Sequence, residues 1–144
     1  HTIEASLDLT GKEEGVLVAC GGFTGGYSLF IKGNKVFYDY NYYHGLHYKL
    51  ESPKLGKGPV DIKFNFIEDG GITEGIPGGK GELYINGKKV DEVAMPEMHI
   101  STFSLSETFD VGIDAGTPVT TEYAVENHFP YTGELDKITI RLTD

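Results

Sequence analysis

Four groups of residues in this sequence have types and spacings that chemistry can use. The first is a run of tyrosines and histidines: Tyr38, Tyr40 and Tyr42 alternate, and Tyr43, His44, His47 and Tyr48 follow at once. On an extended strand the alternating three share one face. A sugar ring can stack its apolar side on such rings while nearby polar groups take its hydroxyls, and the same rings can equally fill a core or form a seam with another domain. His44 and His47 lie three apart across Gly45 and offer two imidazoles to a metal, with no third ligand beside them. The second group is Asp110 and Asp114 around Gly112. Calcium takes about six to eight oxygens, often from Asp carboxylates and loop carbonyls, although short Asp/Gly stretches also make plain turns and the EF-hand pattern is absent.

The third group is Glu134-Leu135-Asp136. On a strand the two acids share a face, where a carboxyl separation of about 5–5.5 Å supports retaining glycoside hydrolysis. The third acid of a jelly-roll glucanase strand is missing, because Ile138 and Thr139 stand in its place, and Ile138 and Ile140 are expected in the core. The fourth is Gly21-Gly22-Phe23-Thr24-Gly25-Gly26. A phosphate loop needs Gly-Lys-Ser/Thr opening a helix, whereas a strand pattern follows here, so the expectation is a tight turn. No Ser, His and Asp fall in an order specific enough to argue a triad.

These groups need elements to hold them, and the elements read as strands. Ile3-Glu4-Ala5-Ser6-Leu7-Asp8-Leu9 alternates apolar and polar, as do Asp61–Phe66 and Lys137–Leu142. Val16–Cys20, Tyr27–Lys32, Lys35–Asn41, Leu46–Glu51, Gly81–Ile85, Lys88–Val93 and Phe109–Ile113 are short runs bounded by turn residues. Gly33-Asn34 and Asn86-Gly87 predict two-residue hairpin turns, whose central positions both need positive φ. No window carries a helical stripe. Segments 69–80 and 114–132 read as long loops, the first from its glycines and the second from Pro118 and Pro130. Frequent strands and turns over the whole of 1–144 imply one all-β domain, a two-sheet antiparallel sandwich or a closed barrel.

Composition limits what such a domain binds. With 144 residues, 12 Lys+Arg against 22 Asp+Glu and a net charge of −10, electrostatic binding to nucleic acid or an anionic membrane is excluded. One Cys leaves no disulfide framework and no Cys-rich zinc site. The chain opens on His1 directly into a strand pattern, which suggests a piece of a larger protein.

Gly15-Val16-Leu17-Val18-Ala19-Cys20-Gly21-Gly22, then Gly25-Gly26-Tyr27-Ser28-Leu29-Phe30, resembles the C-terminal accessory domain of bacterial arylsulfatases, with its glycine pair and "GG-aromatic-Ser-Leu" strand. Tyr40-Asn41-Tyr42, the hairpin Gly79–Gly87, Asp110-Val111-Gly112-Ile113-Asp114-Ala115-Gly116-Thr117-Pro118-Val119 and Phe129-Pro130-Tyr131-Thr132-Gly133 follow in the family's order, from about Gly15 to Leu142. The resemblance implies a jelly-roll sandwich similar to concanavalin A and laminin G domains. It implies a partner too, the sulfatase catalytic domain of the same polypeptide, and a parent enzyme that uses formylglycine and calcium, often in the periplasm or secreted.

The sulfatase chemistry itself does not carry over. That family's catalytic domain has Cys or Ser in Cys-x-Pro-x-Arg, while Cys20 is followed by Gly21-Gly22-Phe23-Thr24. The expectation is a non-catalytic domain that supports the catalytic one, with Tyr38, Tyr40, Tyr42, Tyr43, His44, His47 and Tyr48 as ligand or interface residues and Asp110 and Asp114 as a structural calcium pair. The alternatives are a lectin-type carbohydrate-binding module, calcium-assisted, and a small jelly-roll glycoside hydrolase. The net charge disfavours a sulfated glycan as ligand, since no basic patch offsets it.

Overall fold

The computed structural model describes residues 1–43, 45–69, 76–99 and 106–142. The described residues form ten strands: β1 (Thr2–Leu9), β2 (Gly15–Gly22), β3 (Gly25–Lys32), β4 (Lys35–Tyr43), β5 (Leu46–Glu51), β6 (Gly58–Glu68), β7 (Gly79–Ile85), β8 (Lys88–Met95), β9 (Phe109–Val111) and β10 (Thr139–Arg141). One 3₁₀ turn, Thr121–Tyr123, is the only helical element among the described residues. The strands form two five-stranded antiparallel sheets, β10-β1-β6-β7-β8 and β5-β4-β3-β2-β9. They pack as a jelly-roll-like sandwich, which decides between the sandwich and the closed barrel that the strand pattern left open.

Alternation builds the core between the sheets. Ile3, Ala5, Leu7 and Leu9 of β1 and Val60, Ile62 and Phe64 of β6 face Leu29, Ile31, Val36, Tyr38, Tyr40, Tyr48 and Leu50 of the second sheet. Tyr38 stacks on Phe64 with ring centroids 3.7 Å apart and planes at 9°. Both predicted hairpin turns form: φ is 57° and 61° at Gly33 and Asn34, and 50° and 78° at Asn86 and Gly87. At the β2–β3 turn the chains approach so closely that a Cβ on Gly26 would lie 2.2 Å from the Cys20 carbonyl oxygen.

The outer face of the second sheet is also covered. Residues 114–131 form a strap across it, and Val119, Tyr123 and Phe129 bury themselves against Val16, Ala19 and Phe30. Phe30 meets Tyr123 edge to face at 5.0 Å and stacks on Phe37 at 5.2 Å. Backbone bonds fasten the strap's far end, from Val16 N to the Phe129 carbonyl (2.8 Å) and from Thr132 N to the Glu14 carbonyl (2.9 Å). To seat Phe129 the backbone takes three consecutive left-handed residues, Asn127, His128 and Phe129, at φ 45°, 70° and 42°. Each costs about 1–2 kcal/mol, less for Asn.

Most central strands run one to three residues past the expected ends, while the two short edge strands β9 and β10 fall short of them. Gly112, at φ 79°, ends β9 at Val111 rather than at Ile113. β10 keeps only three residues because it is an edge strand paired with β1 alone. Ile140, expected in the core, is 37% exposed on that outermost strand, while Ile138 packs partly against the core. Of the loop read at 69–80, residues 70–75 lie outside the described residues, and its last two belong to β7.

Phe129→Ala removes the ring that anchors the strap and leaves the strained turn without its compensation. Urea unfolding is expected to show a loss of about 3 kcal/mol, with faster proteolytic cutting between 114 and 131 than in the parent.

Candidate functional site

The run from Tyr38 to Tyr48 divides between the two faces of its sheet. Tyr38, Tyr40 and Tyr42 do share a face, but it is the inward one: Tyr38 and Tyr40 are each 1% exposed and Tyr48 is 8% exposed. Tyr38 and Tyr40 therefore cannot touch a ligand or a partner domain, which corrects their place in the expected set. Burial pushes the Tyr38 hydroxyl well up and that of Tyr40 to about 12, the latter against a bond donated by His99 N at 2.9 Å. Tyr48 is likewise covered, lying 6.2 Å from Tyr40 ring to ring, and serves packing. His44 lies outside the described residues.

His47 faces the other way, under the edge of the strap. Its Nδ1 meets the buried Asp39 carboxylate at 2.6 Å. Beside it Lys49 bonds Glu122 of the 3₁₀ turn at 2.9 Å and lies 3.7 Å from Asp39. Burial works against the charged form of Lys49, but the bonds and charges of Glu122 and Asp39 together outweigh it and raise the ammonium above its ordinary value. The group latches strap to sheet. Sequence reading missed it, although alternation of His47, Lys49 and Glu51 beside Asp39 contained the signal. Among the described residues no three His, Cys, Asp or Glu side chains converge as metal ligands.

The open part of the segment is its far end. A bulge between Asn41 and Tyr43 shifts the β4–β5 register. Tyr43 and Leu46 emerge there, 49% and 44% exposed. Asn41 itself stays buried, with Nδ2 donating to the carbonyls of Phe23 (2.8 Å), Val119 (3.2 Å) and Gly22 (3.3 Å). It thus ties β4, the β2–β3 turn and the strap together, at the end of the sheet where Phe23 is 68% exposed. Phe109, 52% exposed, pairs with Cys20 just below that turn.

A pocket of about 320 Å³ opens at this end, lined by Tyr42, Tyr43, Ile76, Met98 and His99. Two segments distant in sequence are clamped to build it. Met98 N donates to the Pro77 carbonyl at 2.8 Å, and His99 N donates to the Tyr40 hydroxyl. The His99 ring lies 5.4 Å from that of Tyr42. Gly25 is what admits it: a Cβ there would stand 2.5 Å from His99 Nε2. Ile76, Met98 and His99 were not among the expected residues, since nothing local in sequence marks segments that meet only in the folded chain.

The Asp110 and Asp114 carboxylates are each committed to the local turn. Asp110 Oδ2 accepts from the Thr108 hydroxyl (2.7 Å) and Ala115 N (3.1 Å). Asp114, 1% exposed, accepts at Oδ2 from the Tyr123 hydroxyl (2.6 Å) and Val119 N (3.0 Å). The Asp114 pair of bonds fastens the strap, while its Oδ1 is buried with no hydrogen-bond partner among the described residues. Glu134 and Asp136 are both exposed and precede β10 rather than lying on it, yet both line one open pocket with Asp8 and Glu13. Cys20 is partly buried, and burial, followed by the charge of Asp110, pushes its thiol up.

The fold and these contacts define the class, an all-β sandwich with one strapped sheet and an open apolar end. No protein-family model matches the sequence, and no curated protein matches it.

Burial raises the Asp114 carboxyl above its ordinary 3.8, against the lowering effect of its bonds to Tyr123 and Val119. The folded state therefore holds this proton to higher pH than the unfolded chain does. Stability falls as pH rises from about 3.8 through the raised value. In Asp114→Asn that component of the slope is expected to vanish, read as the difference between urea midpoints of the two proteins across pH 4–6.

Proposed function

We propose that this chain is a non-catalytic β-sandwich domain of an arylsulfatase-type ester hydrolase, which packs on the catalytic domain of the same polypeptide and supports it. The observation that carries the reading is the apolar end of the second sheet. There Phe23, Tyr43 and Leu46 are exposed at one end of the sheet, Phe109 is exposed on the edge strand opposite β5, and the strap covers the outer face of β2 and β3. Single exposed apolar residues are ordinary; a group of them on a rigid sheet end is what a domain interface uses.

The motif order supports the same reading. The Gly-Gly-Tyr-Ser-Leu stretch is β3 and its entry turn, Tyr40-Asn41-Tyr42 includes the tie to that turn, and the Asp110–Val119 stretch is β9 with the start of the strap. Several of the residues that carry the resemblance thus lie at the open end or in its support. A domain kept for docking needs these positions for geometry and not for turnover.

The test uses the full-length polypeptide. An upstream Cys/Ser-x-Pro-x-Arg motif and hydrolysis of 4-nitrophenyl sulfate are expected. In hydrogen exchange, amides at Phe23 and Tyr43 are expected to be protected by about tenfold or more relative to the 144-residue chain alone. An upstream sequence without the motif, or equal exchange in the two proteins, overturns the proposal. So does aryl-sulfate hydrolysis by the 144-residue chain that a point substitution within it abolishes.

A further inference from the structure

The lysines look scattered in the sequence, yet the fold gathers three of them. At the end of the sandwich opposite Tyr43, a cavity of about 320 Å³ is lined by Lys54, Lys57 and Lys88. Leu55, Val60, Ile85 and Val90 are among its apolar walls. Val60 belongs to the buried core, and Leu55, Ile85 and Val90 pack against it, so the floor of the cavity is the end of the core itself. The lining comes from 53–60 and 85–90, stretches described throughout, and lies about 30 Å along β6 from Glu68.

Hydrogen bonds hold the walls. Leu55 N donates to the Asn34 carbonyl (2.7 Å), which ties the segment after β5 to the β3–β4 hairpin. Asn86 and Asp61 bond both ways, Asn86 N to the Asp61 carbonyl and Asp61 N to Asn86 Oδ1, at 2.8 Å each. None of the ion pairs among the described residues takes up the three ammoniums. The carboxylates next in sequence to the lining are engaged elsewhere, Asp61 with the Ser6 hydroxyl (2.7 Å) and Asp91 with Glu51 N (2.9 Å). The protein as a whole is acidic, but charges further off than about 8 Å are largely screened, so an anion at this cavity meets the lysines first.

We infer that this cavity binds an aliphatic carboxylate, its chain against Leu55, Val60, Ile85 and Val90 and its head among Lys54, Lys57 and Lys88. The chain gains by leaving water and the head by charge-assisted bonds, and only a molecule with both parts gains twice. The lysine ammonium is a compact, strongly hydrated charge. A carboxylate, with its charge on two oxygens, is a compact partner for it, whereas a sulfate spreads its charge over three. The inference is independent of the accessory-domain reading, because it concerns the other end of the sandwich.

Hexanoate is titrated into the methyl-labelled chain, and acetate, hexanol, hexylammonium and hexyl sulfate are titrated separately. The methyl signals of Leu55 and Val90 report the cavity, and the ε-methyl of Met95, fully buried at the far end of β8, is the control. Saturable movement at Leu55 and Val90, with Met95 still, is expected for hexanoate at a dissociation constant on the order of a few millimolar, weakening as salt is added. Each of the other four is expected to bind at least about threefold more weakly.

Lys57→Gln and Lys88→Gln, both at exposed positions, are each expected to weaken hexanoate about threefold, the scale of an exposed charge contact, with the Met95 signal in place. Equal or tighter binding of hexanol or hexylammonium overturns the role of the lysines, and of acetate that of the chain. Equal or tighter binding of hexyl sulfate overturns the choice of a carboxylate. Leu55 and Val90 signals unmoved at the highest hexanoate concentration, or an affinity unchanged in both lysine variants, overturns the site.

Discussion

The structure depends on one constraint: the second sheet is buried on both faces. An antiparallel sheet usually keeps one face for water, and its strands then alternate apolar and polar. Here Val16, Ala19 and Phe30 point away from the sandwich and need cover, which only the strap supplies. The strap has almost no regular structure, so side chains must satisfy its backbone. Asp114 takes Val119 N, Asn41 takes the Val119 carbonyl, and Thr120 takes Glu122 N. Burying rings such as Phe129 and Tyr123 gives about 1.5–3 kcal/mol each, which is the scale needed to hold three left-handed residues in succession.

From that constraint the open end follows. The strap covers the outer face of β2 and β3 but stops at the level of Asn41, whose amide joins Val119 to the β2–β3 turn. Beyond Asn41 the sheet runs out, and the β4–β5 bulge sends Tyr43 outward instead of into the core. Past that line Phe23, Tyr43 and Leu46 are exposed among the described residues. The polar group beneath the strap shows the opposite case, because Asp39, His47, Lys49 and Glu122 satisfy one another and so serve as a fastening.

The alternating strands and both glycine hairpins were legible in the sequence because each depends on neighbours two to four residues away. What was not legible was direction. Period 2 places Tyr38, Tyr40 and Tyr42 on one face, yet says nothing of which face meets water, and only the stacking of Tyr38 on Phe64 decides it. The strap could be read as irregular from Pro118 and Pro130, but its role depends on Tyr123 and Phe129 meeting Phe30 nearly a hundred positions away. The pocket was illegible for the same reason, since Ile76 and Met98 meet Tyr42 only once two loops are clamped.

Net charge is a weaker guide to the ligand than the immediate lining. At physiological ionic strength the screening length is about 8 Å, so only charges close to the open end act on a ligand there. Glu107 is one of them, because its carboxylate accepts from Thr117 beside Gly22 and Phe23. What else a ligand meets is set by the pocket lining, which among the described residues is Tyr42, Tyr43, Ile76, Met98 and His99. Those side chains offer aromatic and apolar contact, so packing rather than the sum of distant charges sets what that end can hold.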